Sequence, residues 1–206
     1  MIISRALTRL VCAAAITAFA SQGVAAETVF HNSISYYQIG GKTADDLDRE
    51  LSRRGPYTEG TGSRHPGATE IKFGGELTYV EKPKRCEIGD VKVTLTTRII
   101  LPRWKNRRKA GPDIALVWDA LSSDIKRHEE RHAEIARQHA RRLEKSLKRL
   151  RPMRDCDLLE AKVAELSDKE LSRHDKDQRR FDRVESINFE KRITRIIDYR
   201  AEQAGR

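Results

Sequence analysis

What the second half of this chain lacks constrains its fold more than any motif. After Pro112 the only proline is Pro152, and no glycine occurs between Gly111 and Gly205. With those breakers absent and apolar residues recurring every three to four positions, the spacing predicts long amphipathic helices. The first is expected over 113–150, with Asp113 as its N-cap. The RPMRD segment at 151–155 breaks it, and a second helix takes most of 157–199. A connection this short favours an antiparallel helical hairpin.

The half before Pro112 has a different grammar. SISYYQI at 33–39 reads as a strand, Gly40 and Gly41 as a turn, and Thr43 with Asp46 as the capping box of a helix ending near Arg54. Residues 55–67, GPYTEGTGSRHPG, are turn-forming throughout and predict an exposed loop. The segments 69–80 and 91–101, the latter alternating as VKVTLTTRIIL, predict paired strands, with Pro102 ending the second and 105–111 a charged linker. The expected fold class is α+β: a small antiparallel sheet with one short helix, packed on a long antiparallel helical hairpin. One domain is expected over 27–206, with a β-rich part at 27–104 and the hairpin at 113–200.

Residues 1–26 combine Arg5 and Arg9 with an apolar run over 10–20 and a small-residue finish at Val24, Ala25 and Ala26. That pattern predicts a secretory signal peptide cleaved near Ala26. The run is too short to span a bilayer, and no later segment supplies the roughly 20 apolar residues that a membrane helix needs. The mature chain is therefore expected in the periplasm or secreted, with no transmembrane segment. Cys12 departs with the signal, leaving Cys86 and Cys156 in a compartment where disulfides persist, and these two are expected to pair. The formal net charge is +10. In an exported protein that excess base points to an anionic envelope component as partner and away from nucleic acid, although acids interspersed among the bases also suit a plain solvated helix face.

The seam of the first helix runs Ile114, Trp118, Leu121, Ile125, His128, His132, Ile135, His139, Leu143, Leu147, Leu150, so three histidines stand where apolar residues belong. His128 and His132 share a helix face, the spacing at which two imidazoles reach one metal ion. With Glu129 between them they form a His-Glu-x-x-His motif, in which Zn2+ is the expected cofactor and Glu129 the expected general base towards a water. A catalytic zinc takes three protein ligands, so one more is required. The longer pattern with glycine at the third position after the motif fails, because Ile135 stands there and His139 comes one residue late. Folding the hairpin back near Met153 sets His174 opposite His132 and Gln178 opposite His128, to within about a turn. His174 is therefore the first choice, with Asp175, Asp177 and Asp182 as carboxylate alternatives and His139 behind them.

The segments YYQIGGKTADDLDREL, IILPRW, WDALSSDIKRHEERH, DCDLLEAKV and QRRFD together resemble a bacterial family of predicted secreted zinc-dependent proteases, long held as a domain of unknown function. The resemblance covers almost all of the expected mature chain. It implies a single-domain exported protein acting on a peptide or protein substrate. Relatives tend to follow the aromatic-Asp pair with Thr and a His-Gly; here Phe181-Asp182 is followed by RVESINF, and no histidine comes after His174. Either His174 or Asp182 completes the site, or the chain has lost the last ligand and binds metal weakly or not at all. Two functions are expected to compete. One is an exported zinc metallopeptidase; the other is a non-catalytic envelope protein binding an anionic polymer or protein through its basic hairpin.

Overall fold

The computed structural model of the chain describes residues 28–205; the expected signal peptide lies outside them. The elements in order are β1 (Val29–Ile39), α1 (Ala44–Arg54), β2 (Tyr57–Thr58), β3 (Ser63–Arg64), β4 (Ala68–Lys82), β5 (Arg85–Trp104), α2 (Pro112–Lys148), α3 (Cys156–Ile187) and α4 (Phe189–Gln203). The fold is α+β. The three-stranded sheet has the order β1-β5-β4, and it is mixed where an antiparallel one was expected. β4 and β5 form an antiparallel hairpin, whereas β1 runs parallel to β5 over its full length, from Val29↔Thr94 to Ile39↔Trp104. The parallel pair arises because α1 and the 55–67 segment lead the chain to the far edge of the sheet and β4 returns it to the starting end, so that β5 enters between them in the direction of β1.

β5 continues through Pro102, where a strand end was expected. β4 has already left its side, since Ala68 pairs with Ile100, so Pro102 lies in a stretch paired only with β1. A residue lacking an N–H is tolerated there. The capping box of α1 is formed, Thr43 Oγ1 accepting from the Asp46 amide at 3.2 Å and the Asp46 carboxylate from the Thr43 amide, also at 3.2 Å. In the 55–67 segment the expected loop contains the small β2–β3 hairpin. Gly111 caps α2 with Pro112 in its first turn, so Asp113, expected as the cap, lies inside the helix, where its charge suits the N-terminal dipole.

Alternation along β5 buries Val91, Val93, Leu95, Ile99 and Leu101 on one face. Val91, Val93 and Leu95 pack on Ala136, Ala140, Leu143 and Leu147 of α2, and Ile99 and Leu101 on Ile125 and Ala133. Ile39, Leu47, Leu51, Trp104 and Trp118 close the end of the sheet under α1. Each fully buried Leu, Ile or Val in this layer contributes about 1.5–3 kcal/mol of transfer free energy. Small residues on α2, Ala133, Ala136 and Ala140, let the sheet approach closely. They turn α2 by part of a turn from the expected seam: Ile125, Glu129, Ala133, Ala136 and Ala140 meet the sheet, while His128, His132 and His139 face α3.

α3 returns antiparallel beside α2, as expected. The connection is pinned to β5 by paired backbone bonds between Cys86 and Met153, at 2.8 and 3.0 Å, and by the Cys86–Cys156 disulfide. Asp155 caps α3 through the Leu158 amide at 2.9 Å. The single second helix expected over 157–199 is broken at Asn188, whose side-chain amide donates to the Val184 carbonyl at 2.7 Å. Beyond that break α4 turns back onto α2, where Arg192 donates to the buried Asp124 at 2.9 and 3.2 Å. Among the described residues, no helix is long and apolar enough to cross a membrane.

Candidate functional site

Rotation of α2 towards the sheet separates the motif into two sides. Glu129 turns inward and is only 5 % exposed. Thr69 at the start of β4 donates from Oγ1 to Glu129 Oε2 at 2.9 Å and reaches the Glu129 carbonyl at the same distance. Gly67 lies against the other oxygen: a Cβ there would stand 2.9 Å from Glu129 Oε1 and 2.8 Å from Ile125 Cγ2, so any larger residue would push those two side chains aside. Tyr37 of β1 closes the same corner by donating from its hydroxyl to the Pro66 carbonyl at 2.7 Å.

His128 and His132 turn the other way, towards α3. Their Nε2 atoms lie 3.0 Å apart, and Asp182 Oδ1 stands 2.9 Å from His132 Nε2 and 3.4 Å from His128 Nε2. These three ligand atoms all fall within 4.8 Å of one another. The Nδ1 atoms are backed by α3 as well: that of His132 faces Gln178 Oε1 at 2.5 Å, and that of His128 lies 3.7 Å from Glu185 Oε2. Phe181 stacks on His128, with ring centroids 4.9 Å apart, and meets His132 edge-on. His128 and Asp182 keep 28 % and 51 % of their side chains exposed, so the convergence point opens to solvent.

The charges are mutually tuned. Burial pushes the Glu129 carboxyl above the ordinary glutamate range, against the opposing pull of His132, the Thr69 hydroxyl and His128. Burial alone would lower His132, but hydrogen bonds to Asp182 and Gln178 and the nearby carboxylate charges reverse that and raise it. For Asp182 burial acts upward, and the two histidines more than offset it, holding the carboxyl well below its usual range. The Tyr37 phenol is pushed up by burial and then by the Glu129 charge.

Of the other expected ligands, His174 is not at this point. It lies about two helical turns before Asp182 on α3, 6 % exposed, edge-on to Phe73 at 5.0 Å and to His139 at 5.4 Å. Its partners are Asp175 Oδ1 at 3.0 Å and the Gln178 amide at 2.8 Å. His139 is buried with Nδ1 2.7 Å from Glu170 and Nε2 3.1 Å from Asp177, in an ion-pair network with Arg142 and Arg173. The fold-back estimate was off by about one to two turns because the connection pinned to β5 is not helical: His132 meets Gln178 and Asp182, and Asp182 gained the place given to His174. Gln178, Glu185, Thr69 and Gly67 carried no local signal; their roles come from packing alone.

Residues 34–189 match a bacterial family described as "Bacterial protein of unknown function (DUF922)". No curated protein and no solved structure matches the chain.

Proposed function

The chain belongs to the DUF922 family of bacterial proteins of unknown function, and from the geometry of its site we propose that it is an exported zinc-dependent metallopeptidase. The observation that carries this reading is the convergence of His128 Nε2, His132 Nε2 and Asp182 Oδ1 beside a buried glutamate. Two imidazole nitrogens and one carboxylate oxygen are a catalytic zinc donor set, and ligands at about 2.0–2.1 Å in a tetrahedron stand roughly 3.3 Å apart. The donor spacings of 2.9, 3.0 and 3.4 Å match that edge. When bound, zinc would acidify a water and polarise a carbonyl.

His128, His132 and Asp182 are the residues that would hold the metal, and the partial exposure of His128 and Asp182 lets a substrate reach them. Glu129 is the proposed general base. Thr69 steadies its Oε2, and the carboxylate would take the proton from the attacking water and return it to the leaving amine. Burial of the carboxyl suits that exchange by bringing its proton affinity nearer to that of the operating pH. A peptide or protein is the proposed substrate.

The test measures zinc stoichiometry and affinity, and peptide hydrolysis, for the purified protein and four variants. One zinc per chain is expected, lost in His132→Ala, weakened at least ~100-fold in Asp182→Ala and kept within about tenfold in His174→Leu. Glu129→Gln should keep zinc and lose hydrolysis. If the wild type binds no zinc, or Glu129→Gln cleaves as well as the wild type, the peptidase reading is wrong. The basic helical surface and an anionic envelope partner would then be the reading to pursue.

A further inference from the structure

The amide of Gln178 touches three groups. Its Oε1 lies 2.5 Å from His132 Nδ1, and its Nε2 lies 3.1 Å from the His132 carbonyl oxygen and 2.8 Å from His174 Nε2. A carbonyl oxygen can only accept, so the NH2 end of the amide must face it. The reverse orientation would set two acceptors against each other there. With the NH2 end fixed, the atom facing His132 Nδ1 is an acceptor, and Nδ1 must carry hydrogen whatever the state of Nε2. The second amide hydrogen goes to His174 Nε2, which must accept. The His174 hydrogen therefore sits on Nδ1, which donates to Asp175 Oδ1 at 3.0 Å.

We propose that Gln178 is the positioning residue of the site, and that His174, itself wedged between Phe73 and His139, is the anchor that holds Gln178 in its working orientation. The amide locks the His132 ring with Nδ1 protonated and Nε2 aimed at the point shared with His128 and Asp182. This gives His174 a purpose other than ligation: it is a buried, neutral acceptor, and burial pushes its imidazole below the ordinary value, which favours that form. The arrangement deepens the proposed metal centre, since a ligating histidine is commonly oriented through its other ring nitrogen. Its first readout nonetheless needs no metal.

The experiment is 15N NMR of the histidine rings in the chelator-treated, metal-free protein, followed by zinc affinity, for the wild type, Gln178→Leu and Gln178→Glu. In the wild type, His132 should show a protonated Nδ1 with a slowly exchanging N–H. Gln178→Glu keeps an acceptor at that nitrogen and should keep the Nδ1 hydrogen, although its other oxygen no longer donates to the His132 carbonyl or to His174; Gln178→Leu should lose it. Zinc affinity should fall ~10–100-fold in Gln178→Leu and recover only in part in Gln178→Glu, which keeps the acceptor at His132 Nδ1 but loses the two donated bonds. An unprotonated His132 Nδ1 in the wild type overturns the proposal, as does a Gln178→Leu protein that retains both the signal and the affinity. If Gln178→Leu does not fold, the wild-type ring state and the Gln178→Glu comparison decide. Zinc failing to bind the wild type while the Nδ1 hydrogen is held by Gln178 would end the metal reading and leave the positioning intact.

Discussion

At the scale of single residues, the site depends on a close approach. Gly67 brings the backbone before β4 against Glu129 and Ile125. Gly67→Ala inserts a methyl where two side chains already stand, and a buried over-packing of this kind costs about 1–3 kcal/mol. The expected outcome is a lower urea midpoint, together with loss of hydrolysis as the Glu129 carboxyl is displaced from the attacking water. Zinc affinity should be unchanged, because the added methyl meets Ile125 and Glu129 and the proposed ligands are held by the packing of α2 against α3. A variant with wild-type stability and turnover would show that the approach is not needed. Thr69 and Tyr37 complete the same corner from β4 and β1, so the proposed general base is held by sheet residues and the proposed ligands by helices.

Among elements, the placing of α4 rests on charge. Asp124 of α2 is 4 % exposed and accepts from Arg192 of α4 and from Arg127 at 2.9 Å. Arg192 also reaches Glu185 at 3.2 Å, the carboxylate behind His128. Burial alone would raise the Asp124 carboxyl; the hydrogen bonds from Arg192 and Arg127 outweigh it and lower the value. A carboxyl lowered on folding stabilises above its unfolded value, near 3.9, and that stability is lost as pH falls through the unfolded and then the folded value. Urea midpoints should therefore drop as pH is taken from about 5 to about 3. Asp124→Ala should cost about 3–5 kcal/mol near neutrality, since it leaves two arginines short of a buried partner, and should show a shallower acid dependence. Equal acid slopes in the two proteins would rule out Asp124 as the source. No proline or glycine marks the break at Asn188, so only the folded chain, with Arg192 drawn to Asp124, defines where α3 ends.

At the scale of the whole molecule, one covalent bond ties the sheet to the helix that carries Gln178, Asp182 and Glu185. The Cys86–Cys156 disulfide spans 70 residues, and closing a loop of that length removes roughly 4 kcal/mol of unfolded-state entropy. Cys86→Ala/Cys156→Ala should lower the melting temperature and loosen zinc binding together, because α3 loses its tether at the end nearest β5. A drop in melting temperature with unchanged zinc affinity would show that the α2–α3 packing fixes the site without that tether.

Much of this was legible in the chain itself. Periodicity and the missing breakers determined the helical hairpin, alternation determined the strands, Thr43 and Asp46 determined the start of α1, and the spacing of His128, Glu129 and His132 set them on one helix within reach of a common point. These features are local, because each depends on backbone geometry over a few residues. The parallel docking of β1, the rotation of α2 on its alanines, the break at Asn188 and the choice of Asp182 over His174 beside the histidines were decided only by the tertiary structure. Each depends on how far one surface can approach another and where a non-helical connection sets the next helix. A shift of one or two turns along α3 exchanges one side chain for another at the same point, and no pattern within the sequence measures that shift.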